Sequence, residues 1–230
     1  MSKTLLIIAS HAAAREQVFW TWPYYQIPGW DICGVCPTDS NHHWPAGIAH
    51  IWAVGLSGYS TPNLIKRWVA TWEKFLTWPG FDVYSDACFI EYDSFFLAKP
   101  PQHNGGLYTN LAGGGLGGTF KASRFFHTPW WADRGSAAII VDEGHRLIEA
   151  GEFENGSPDV FLGLIADRRP ELNIFQTETW SCNGNDFQNR KEHALRAIDE
   201  RSGLWFVHGV RTREELDLCV TQELKAHGLL

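Results

Sequence analysis

The chain lacks an apolar run long enough to cross a membrane. The apolar stretch near its start, within MSKTLLIIASH at residues 1–11, is far shorter than the roughly 20 residues that a transmembrane helix needs. The same segment has no signal-peptide cleavage pattern. These absences predict a cytoplasmic protein without a membrane span.

An excess of positive charge is also missing. The 230 residues include 19 Lys and Arg against 26 Asp and Glu, which gives a formal net charge of -7. A chain with this balance has no overall electrostatic footprint for nucleic acid or for an anionic membrane surface. A nucleic-acid partner would have to bind a local basic groove.

Cysteine is scarce, and its five residues are an odd number scattered along the chain, which argues against a disulfide framework. Cys33 and Cys36 have the spacing of a zinc or redox pair, and His42 and His43 follow closely. Residues 30–36, however, are predicted as a strand, in which positions three apart face opposite sides. We therefore expect reduced thiols that pack in the core or a loop, with zinc binding as the alternative.

The hydrophobic pattern alternates between strands and helices. Apolar runs rich in β-branched residues predict strands, and capping residues followed by proline, as at Thr61-Pro62 and Ser157-Pro158, mark helix starts. The predicted strands cover residues 4–10, 32–36, 49–54, 86–90, 108–111, 173–180 and 204–208, and the predicted helices cover residues 12–22, 61–77, 132–150, 158–167, 190–200 and 213–226. This order predicts one Rossmann-like α/β domain with a mixed, mostly parallel central sheet flanked by helices.

The most informative segment is DACFIEYDSFF at residues 86–96, where an apolar strand ends in Glu91-Tyr92-Asp93. Successive strand side chains alternate in direction, so Glu91 and Asp93 are predicted to face the same side. The order of elements places them at the carboxyl end of a central strand, the edge where ligands bind in open α/β sheets. Two carboxylates at that edge favour Mg²⁺ or Mn²⁺.

A glycine-dense stretch follows at residues 113–118. It lacks the flanking elements of a dinucleotide fingerprint, so we predict a loop. Glycine allows the backbone to approach a ligand closely. A tightly turned connector is the alternative.

Together these features resemble GT-A fold glycosyltransferases. The shared pattern is a first strand that ends near a polar residue, a nucleotide-sized α/β half, an acidic triplet near residue 90, and a late strand followed by His208-Gly209-Val210-Arg211. In that family the triplet, usually Asp-x-Asp, binds a divalent cation and the diphosphate of a nucleotide sugar. The resemblance implies a nucleotide-binding half at residues 1–100 and an acceptor-binding and C-terminal half at residues 101–230.

The resemblance also implies roles for single residues. Asp93 would ligate Mn²⁺ or Mg²⁺ directly, while Glu91 would reach the ribose or act through water. His208 would complete the metal site, and Arg211 would neutralise the phosphates with its fixed fork of donors. The alternative is a structural histidine beside a surface arginine.

Three further residues are assigned by the resemblance. Gly117 and Gly118 match the small-residue loop that lies under the donor sugar in related enzymes. Asp159 matches the acidic helix start that supplies the catalytic base in inverting members, and a carboxylate suits the deprotonation of an acceptor hydroxyl. The alternative is that Asp159 only complements the dipole of its helix.

Candidate nucleotide contacts follow the first strands. His11 ends the first predicted strand and Asp39 follows the second, where a base and a ribose rest in this fold. Lys66 and Arg67, on the next helix, are available for uracil or phosphate, so we expect a UDP-sugar donor. Solvated surface charge is the alternative for these residues.

The chain has 12 tryptophans, and aromatic faces stack on sugar rings and nucleobases. Trp130 and Trp131 are predicted to lie in a proline-bounded loop after the glycine stretch, where they would hold the donor sugar or the acceptor. The alternative is that most tryptophans pack in the core.

We therefore expect a metal-dependent, hexosyltransferase-type enzyme that moves a sugar from a nucleotide diphosphate to an acceptor hydroxyl with inversion. The acceptor stays open between a polysaccharide, a lipid-linked sugar, a protein and a modified DNA base. Two other classes stay open as well. A carbohydrate-binding or interaction module would bind sugar without nucleotide or metal, and a nucleotidyltransferase would also use paired carboxylates with Mg²⁺.

Overall fold

The computed structural model describes residues 3–11, 14–40, 42–57, 61–114, 122–152, 157–177, 179–181 and 205–226. Within these residues the strands are β1 (Lys3–Ala9), β2 (Trp30–Cys36), β3 (His50–Ala53), β4 (Tyr84–Glu91), β5 (Ser94–Phe96), β6 (Leu107–Gly114), β7 (Arg124–Asp133), β8 (Ile174–Gln176), β9 (Thr179–Ser181) and β10 (Phe206–His208). The helices are α1 (Arg15–Thr21), α2 (Thr61–Thr77), α3 (Arg134–Glu149), α4 (Pro158–Arg168) and α5 (Arg213–Ala226), and short 3-10 turns cover Trp22–Tyr25 and Phe81–Val83.

Seven strands form the main sheet, in the order β3-β2-β1-β4-β7-β6-β8. Of these seven, β7 alone runs against the others, because it pairs antiparallel with both β4 and β6 while the other pairs are parallel. A small second sheet has the order β5-β10-β9. The predicted α/β fold with a mixed, mostly parallel central sheet is confirmed, and β4 is its middle strand.

Both faces of the main sheet are buried, which accounts for its continuous apolar strands. Leu5 and Ile7 of β1 enter one core, whereas Leu6 and Ile8 enter the other, because successive strand side chains point to opposite faces. Residues of α2, α3 and α4 pack in the first core. The second core contains residues of β5, β10, α5 and the 3-10 turn after α1, so it holds the small sheet against the main one.

Strand β7 corrects the sequence prediction of a proline-bounded loop followed by a helix from residue 132. Pro129 has no backbone N–H, which normally argues against an inner strand. In the structure, Tyr108 lies opposite Trp131 and Asn110 opposite His127, so three residues of β7, Pro129 among them, face one residue of β6. The missing donor therefore falls in an irregular part of the ladder, where it costs no regular pairing.

The observed boundaries of the other elements lie closer to the predicted ones. Helix α3 begins at Arg134 because the Asp133 side chain accepts a hydrogen bond from the Ser136 N–H and caps the helix. The strand predicted at residues 173–180 is divided between the two sheets, as β8 and β9. The helix predicted at residues 190–200 lies outside the described residues. No helix in the described ranges is both long and apolar enough to span a bilayer.

Candidate active site

Three metal-ligating side chains meet at the carboxyl edge of β4. Glu91 ends β4, Asp93 lies in the turn between β4 and β5, and His208 ends β10. Nε2 of His208 lies 3.1 Å from Oε2 of Glu91 and 3.5 Å from Oδ1 of Asp93. One ligand atom from each residue lies within 4.8 Å of the other two. The structure thus brings together the three residues that the sequence predicts as a metal site, and we call them the acidic triad.

The route by which Asp93 reaches this site differs from the predicted one. The sequence predicts Glu91 and Asp93 on one strand face, two positions apart. In the structure β4 ends at Glu91, and the chain turns through Tyr92 and Asp93 into β5. The turn, and not strand alternation, brings the second carboxylate toward the first.

The small sheet fixes Asp93 next to His208. Ser94 of β5 lies opposite His208 of β10 in an antiparallel pair. The backbone N–H groups of Gly209 and Val210 donate to the Asp93 carbonyl at 3.0 and 2.8 Å. The position of Asp93 is therefore set by backbone hydrogen bonds that do not engage its carboxylate.

Tyr25 holds the same turn from the 3-10 turn after α1. Its side chain is fully buried, and its hydroxyl donates to the Ser94 carbonyl at 2.6 Å. Burial raises the pKa of Tyr25, so the phenol keeps the proton that it donates. The sequence gives no sign of this contact, because the two residues are separated by 69 positions.

Burial and mutual attraction determine the charges of the acidic triad. The Glu91 side chain is 39% exposed and that of His208 11%, while that of Asp93 is 13% exposed. Burial raises the pKa of Asp93, although the neighbouring His208 charge opposes this. Burial alone would lower the pKa of His208, but the Asp93 and Glu91 carboxylates outweigh it and raise that pKa. The two carboxylates therefore stabilise positive charge between them, as a cation site requires.

The donor set fits a divalent cation. Two carboxylates supply hard oxygen ligands and the imidazole supplies a nitrogen ligand, a combination that suits Mn²⁺. Oδ1 of Asp93 is buried and accepts no hydrogen bond from the described residues. Burying such an oxygen without a hydrogen bond is costly; the His208 ring at 3.5 Å offsets part of this cost, and a bound cation would offset the rest.

A histidine and an aspartate lie beside the acidic triad. Nδ1 of His127, on β7, lies 3.4 Å from Oδ1 of Asp159, in the first turn of α4. The rings of His127 and His208 have centroids 5.7 Å apart. The structure thus places Asp159 near the other predicted site residues. His127 was missed because its segment was predicted as a loop; the only signal is a histidine within an aromatic run, FFHTPWW, at residues 125–131.

Gly163 allows α4 to approach β7 closely. A Cβ at this position would lie 1.8 Å from the carbonyl oxygen of Arg124. Asp159 and Gly163 are one helical turn apart and share a face of α4. The close approach therefore also brings Asp159 within reach of β7 and of His127.

His11 lies next to Tyr92, the middle residue of the triplet, and the Arg67 charge is near His11. The His11 ring packs edge-on against Tyr92, with centroids 4.9 Å apart. Burial lowers the pKa of His11, and the nearby Arg67 charge lowers it further. Arg67 also donates to the Leu56 carbonyl at 3.0 Å. These two predicted nucleotide contacts thus lie at the same edge of the sheet as the acidic triad.

The other two predicted nucleotide contacts are less favourably placed. Both carboxylate oxygens of Asp39 accept hydrogen bonds from Ser57, at 2.7 Å from the backbone N–H and 2.5 Å from the hydroxyl. Asp39 therefore organises the loop that follows β3. Lys66 lies on the exposed side of α2.

A capping box fixes the chain after His208. The Glu215 N–H donates to the Thr212 hydroxyl at 3.2 Å, and the Thr212 N–H donates back to the Glu215 carboxylate at 3.1 Å. The Arg211 N–H donates to the same carboxylate. The exposed Arg211 side chain thus starts from an ordered backbone, three residues beyond His208.

Trp130 and Trp131 are not a loop wall for a sugar, which corrects that prediction. They lie on β7, are 1% and 2% exposed, and enter opposite cores. Their indole N–H groups donate to the Phe126 carbonyl at 2.8 Å and to the Asp86 carboxylate at 2.7 Å. Burial on both sides of the sheet leaves neither ring available to a ligand. Gly117 and Gly118 lie outside the described residues.

Cys33 and Cys36 are buried, as the prediction of core packing requires. Burial raises the pKa of both thiols, which disfavours the thiolate that zinc binds.

In the part of the chain that the structure describes, the acidic triad is the one group of at least three His, Cys, Asp or Glu side chains that could hold a metal ion together. The carboxyl edge of β4 therefore combines a candidate cation site with a nearby histidine and carboxylate. No protein-family model matches the chain, and no curated protein matches it.

Proposed function

We propose that this chain is a metal-dependent GT-A type glycosyltransferase that moves a hexosyl group from a UDP-sugar to an acceptor hydroxyl. The observation that carries the proposal is the acidic triad of Glu91, Asp93 and His208 at the carboxyl end of the central strand. That edge is where open α/β sheets bind nucleotides. A carboxylate and imidazole donor set there is suited to the cation that accompanies a diphosphate.

Each residue of the triad has a distinct part in this proposal. Asp93 and His208, the more buried members, would hold Mn²⁺ or Mg²⁺. Glu91, the more exposed member, would reach the ribose or act through water. The bound cation would serve as a Lewis acid that stabilises charge on the departing diphosphate, and Arg211 would donate to the same phosphates.

The nucleotide would lie between the carboxyl ends of β1 and β4. His11 and Tyr92 form its floor in this proposal, and Arg67 supplies positive charge at the side. Asp39 and Lys66 would act from the rim. The resemblance assigns Gly117 and Gly118 to the loop under the donor sugar.

The acceptor would approach from the side of β7 and α4. Asp159, the carboxylate beside the triad that is not needed for the cation, would take part in deprotonating the acceptor in an inverting transfer. The acidic net charge of -7 favours a glycan over an extended nucleic-acid acceptor. A modified base in DNA is the second acceptor class that we would test.

A thermal-shift panel tests the donor. We expect UDP and UDP-glucose with Mn²⁺ to raise Tm by about 5–10 °C at roughly 100-fold excess over Kd, since such binding is worth about 2.7 kcal/mol. Without Mn²⁺ the same ligands should shift Tm much less, because the acidic triad repels an unneutralised diphosphate.

Other outcomes of the panel would indicate a different class of protein. A shift with free sugars that ignores nucleotide and metal would identify a carbohydrate-binding module. A shift with nucleoside triphosphates and Mg²⁺ but not with nucleotide sugars would identify a nucleotidyltransferase. Either result would overturn the glycosyltransferase proposal.

A further inference from the structure

The pairing of His127 with Asp159 bears on which of the two side chains takes the proton of the acceptor hydroxyl during the proposed transfer. Oδ1 of Asp159 lies 3.4 Å from Nδ1 of His127, and its Oδ2 accepts a hydrogen bond from the Ser157 hydroxyl at 3.1 Å. Both oxygens of the carboxylate thus have neighbours within the protein. A carboxylate held in this way is better suited to orient a partner than to approach a substrate hydroxyl.

The imidazole of His127 is better suited than the Asp159 carboxylate to act as the general base. When Nδ1–H of a histidine faces a carboxylate, its Nε2 carries the lone pair, and the imidazolium that forms on proton transfer is stabilised by the carboxylate. The contact is slightly long, as catalytic pairs often are before substrate binds. The centroid of the His127 ring lies 5.7 Å from that of His208, so the imidazole adjoins the acidic triad.

The backbone around His127 is well fixed. The Thr109 hydroxyl donates to the His127 carbonyl at 2.8 Å, and the Thr128 hydroxyl donates to the Phe89 carbonyl at 3.2 Å. These bonds stabilise the irregular part of the β6 and β7 pairing, a type of distortion that often directs a side chain at an active site. His127 is 7% exposed, so its ring is held mainly by protein.

The geometry points to His127 as the general base of the transfer, with Asp159 as its orienting partner. This inference rests on the proposed function and refines the part of Asp159 in it. The acceptor oxygen forms a bond to the anomeric carbon while the bond from that carbon to the diphosphate breaks. The electron pair leaves with the nucleoside diphosphate, and the acceptor proton moves to Nε2 of His127.

The test measures UDP release from UDP-glucose with Mn²⁺, with water as the acceptor, in wild type and variants. His127→Ala should lower kcat by at least about 100-fold, the usual contribution of a general base, while Kd for Mn²⁺ and for UDP stay within about threefold of wild type. Added imidazole should restore part of the lost rate in His127→Ala and none in Asp93→Asn. Asp159→Asn should lower kcat by at least about tenfold, and the double variant should be no slower than His127→Ala.

His145→Ala is the matched control, because His145 is a half-exposed histidine on α3 that pairs with Glu73. It should retain the wild-type rate. Full activity in His127→Ala beside an active wild type would overturn this inference alone. Inactivity of the wild type toward all nucleotide sugars would overturn the proposed function itself.

A second measurement does not depend on turnover. Nitrogen-15 NMR of the whole protein reports the neutral tautomer of His127 directly. We expect the Nδ1–H form in wild type and a shift toward the Nε2–H form in Asp159→Asn. An Nε2–H tautomer in wild type would contradict the orientation on which the inference depends.

Discussion

Asp93→Asn is expected to reduce Mn²⁺-dependent release of UDP from UDP-glucose by at least about 100-fold, to the background rate. Asparagine keeps the size of the side chain but removes the charge that would hold the cation. The metal-free fold should survive, because burial already raises the pKa of Asp93 and so disfavours its charged form. Turnover and Mn²⁺ affinity, measured together with Tm, separate these effects.

His208→Ala should have the same consequence by a different route, since it removes the nitrogen ligand and leaves both carboxylates. The matched control is Asp82→Asn. Asp82 is exposed and lies before β4, so it is roughly 25 Å from Glu91 at about 3.3 Å per strand residue. Wild-type turnover in both Asp93→Asn and His208→Ala would refute the metal site.

Gly163→Ala should lower the free energy of unfolding by about 3 kcal/mol or more. The new methyl group would lie 1.8 Å from the Arg124 carbonyl oxygen and 3.1 Å from the Ala122 Cβ. Backbone atoms of a strand cannot rotate away, so α4 has to move off the sheet. For a chain of this size the corresponding fall in Tm is about 6–12 °C. Thermal unfolding followed by circular dichroism measures it.

Gly135→Ala is the control for this glycine, because it makes the same change in helix α3. A Cβ there would meet only Oδ1 of Asp133, at an ordinary 3.5 Å. Alanine favours helix over glycine by up to about 1 kcal/mol, so this variant should be unchanged or slightly more stable. Equal stability of the two variants would show that the contact between α4 and β7 is looser than described. If Gly163→Ala folds, its loss of activity should resemble that of Asp159→Asn, since the displaced helix carries Asp159 away from His127.

Local sequence signals were sufficient for much of this fold. The apolar run at residues 4–10 predicts β1, and the Thr61-Pro62 start predicts α2 over residues 61–77, because caps, proline and β-branched residues act within one element. Glu91 and Asp93 could be placed at the ligand-binding edge because the order of elements puts them after a central strand. His208 was assigned to the same site only through the resemblance to GT-A fold glycosyltransferases, since β10 belongs to the small sheet.

Contacts between distant elements could not be predicted in the same way. Pro129 concealed β7, since its missing N–H is harmless only where the ladder is irregular. Without β7, core packing stayed only a general alternative for Trp130 and Trp131, and no sequence signal brought His127 toward Asp159. Gly163 gave no local sign either, because its importance lies in the Arg124 carbonyl that α4 contacts.

The acidic triad joins distant parts of the chain. Glu91 of the main sheet and His208 of the small sheet are 117 positions apart. Closing a loop of this length has an entropic cost that the native contacts must offset. A cation held by His208 and by Asp93, which follows Glu91 in the next turn, would favour the closed loop, so its binding energy would also stabilise the docking of β10 and α5. Metal binding and the folding of β10 and α5 would then be one linked equilibrium, in which an occupied site would resist local unfolding of these two elements.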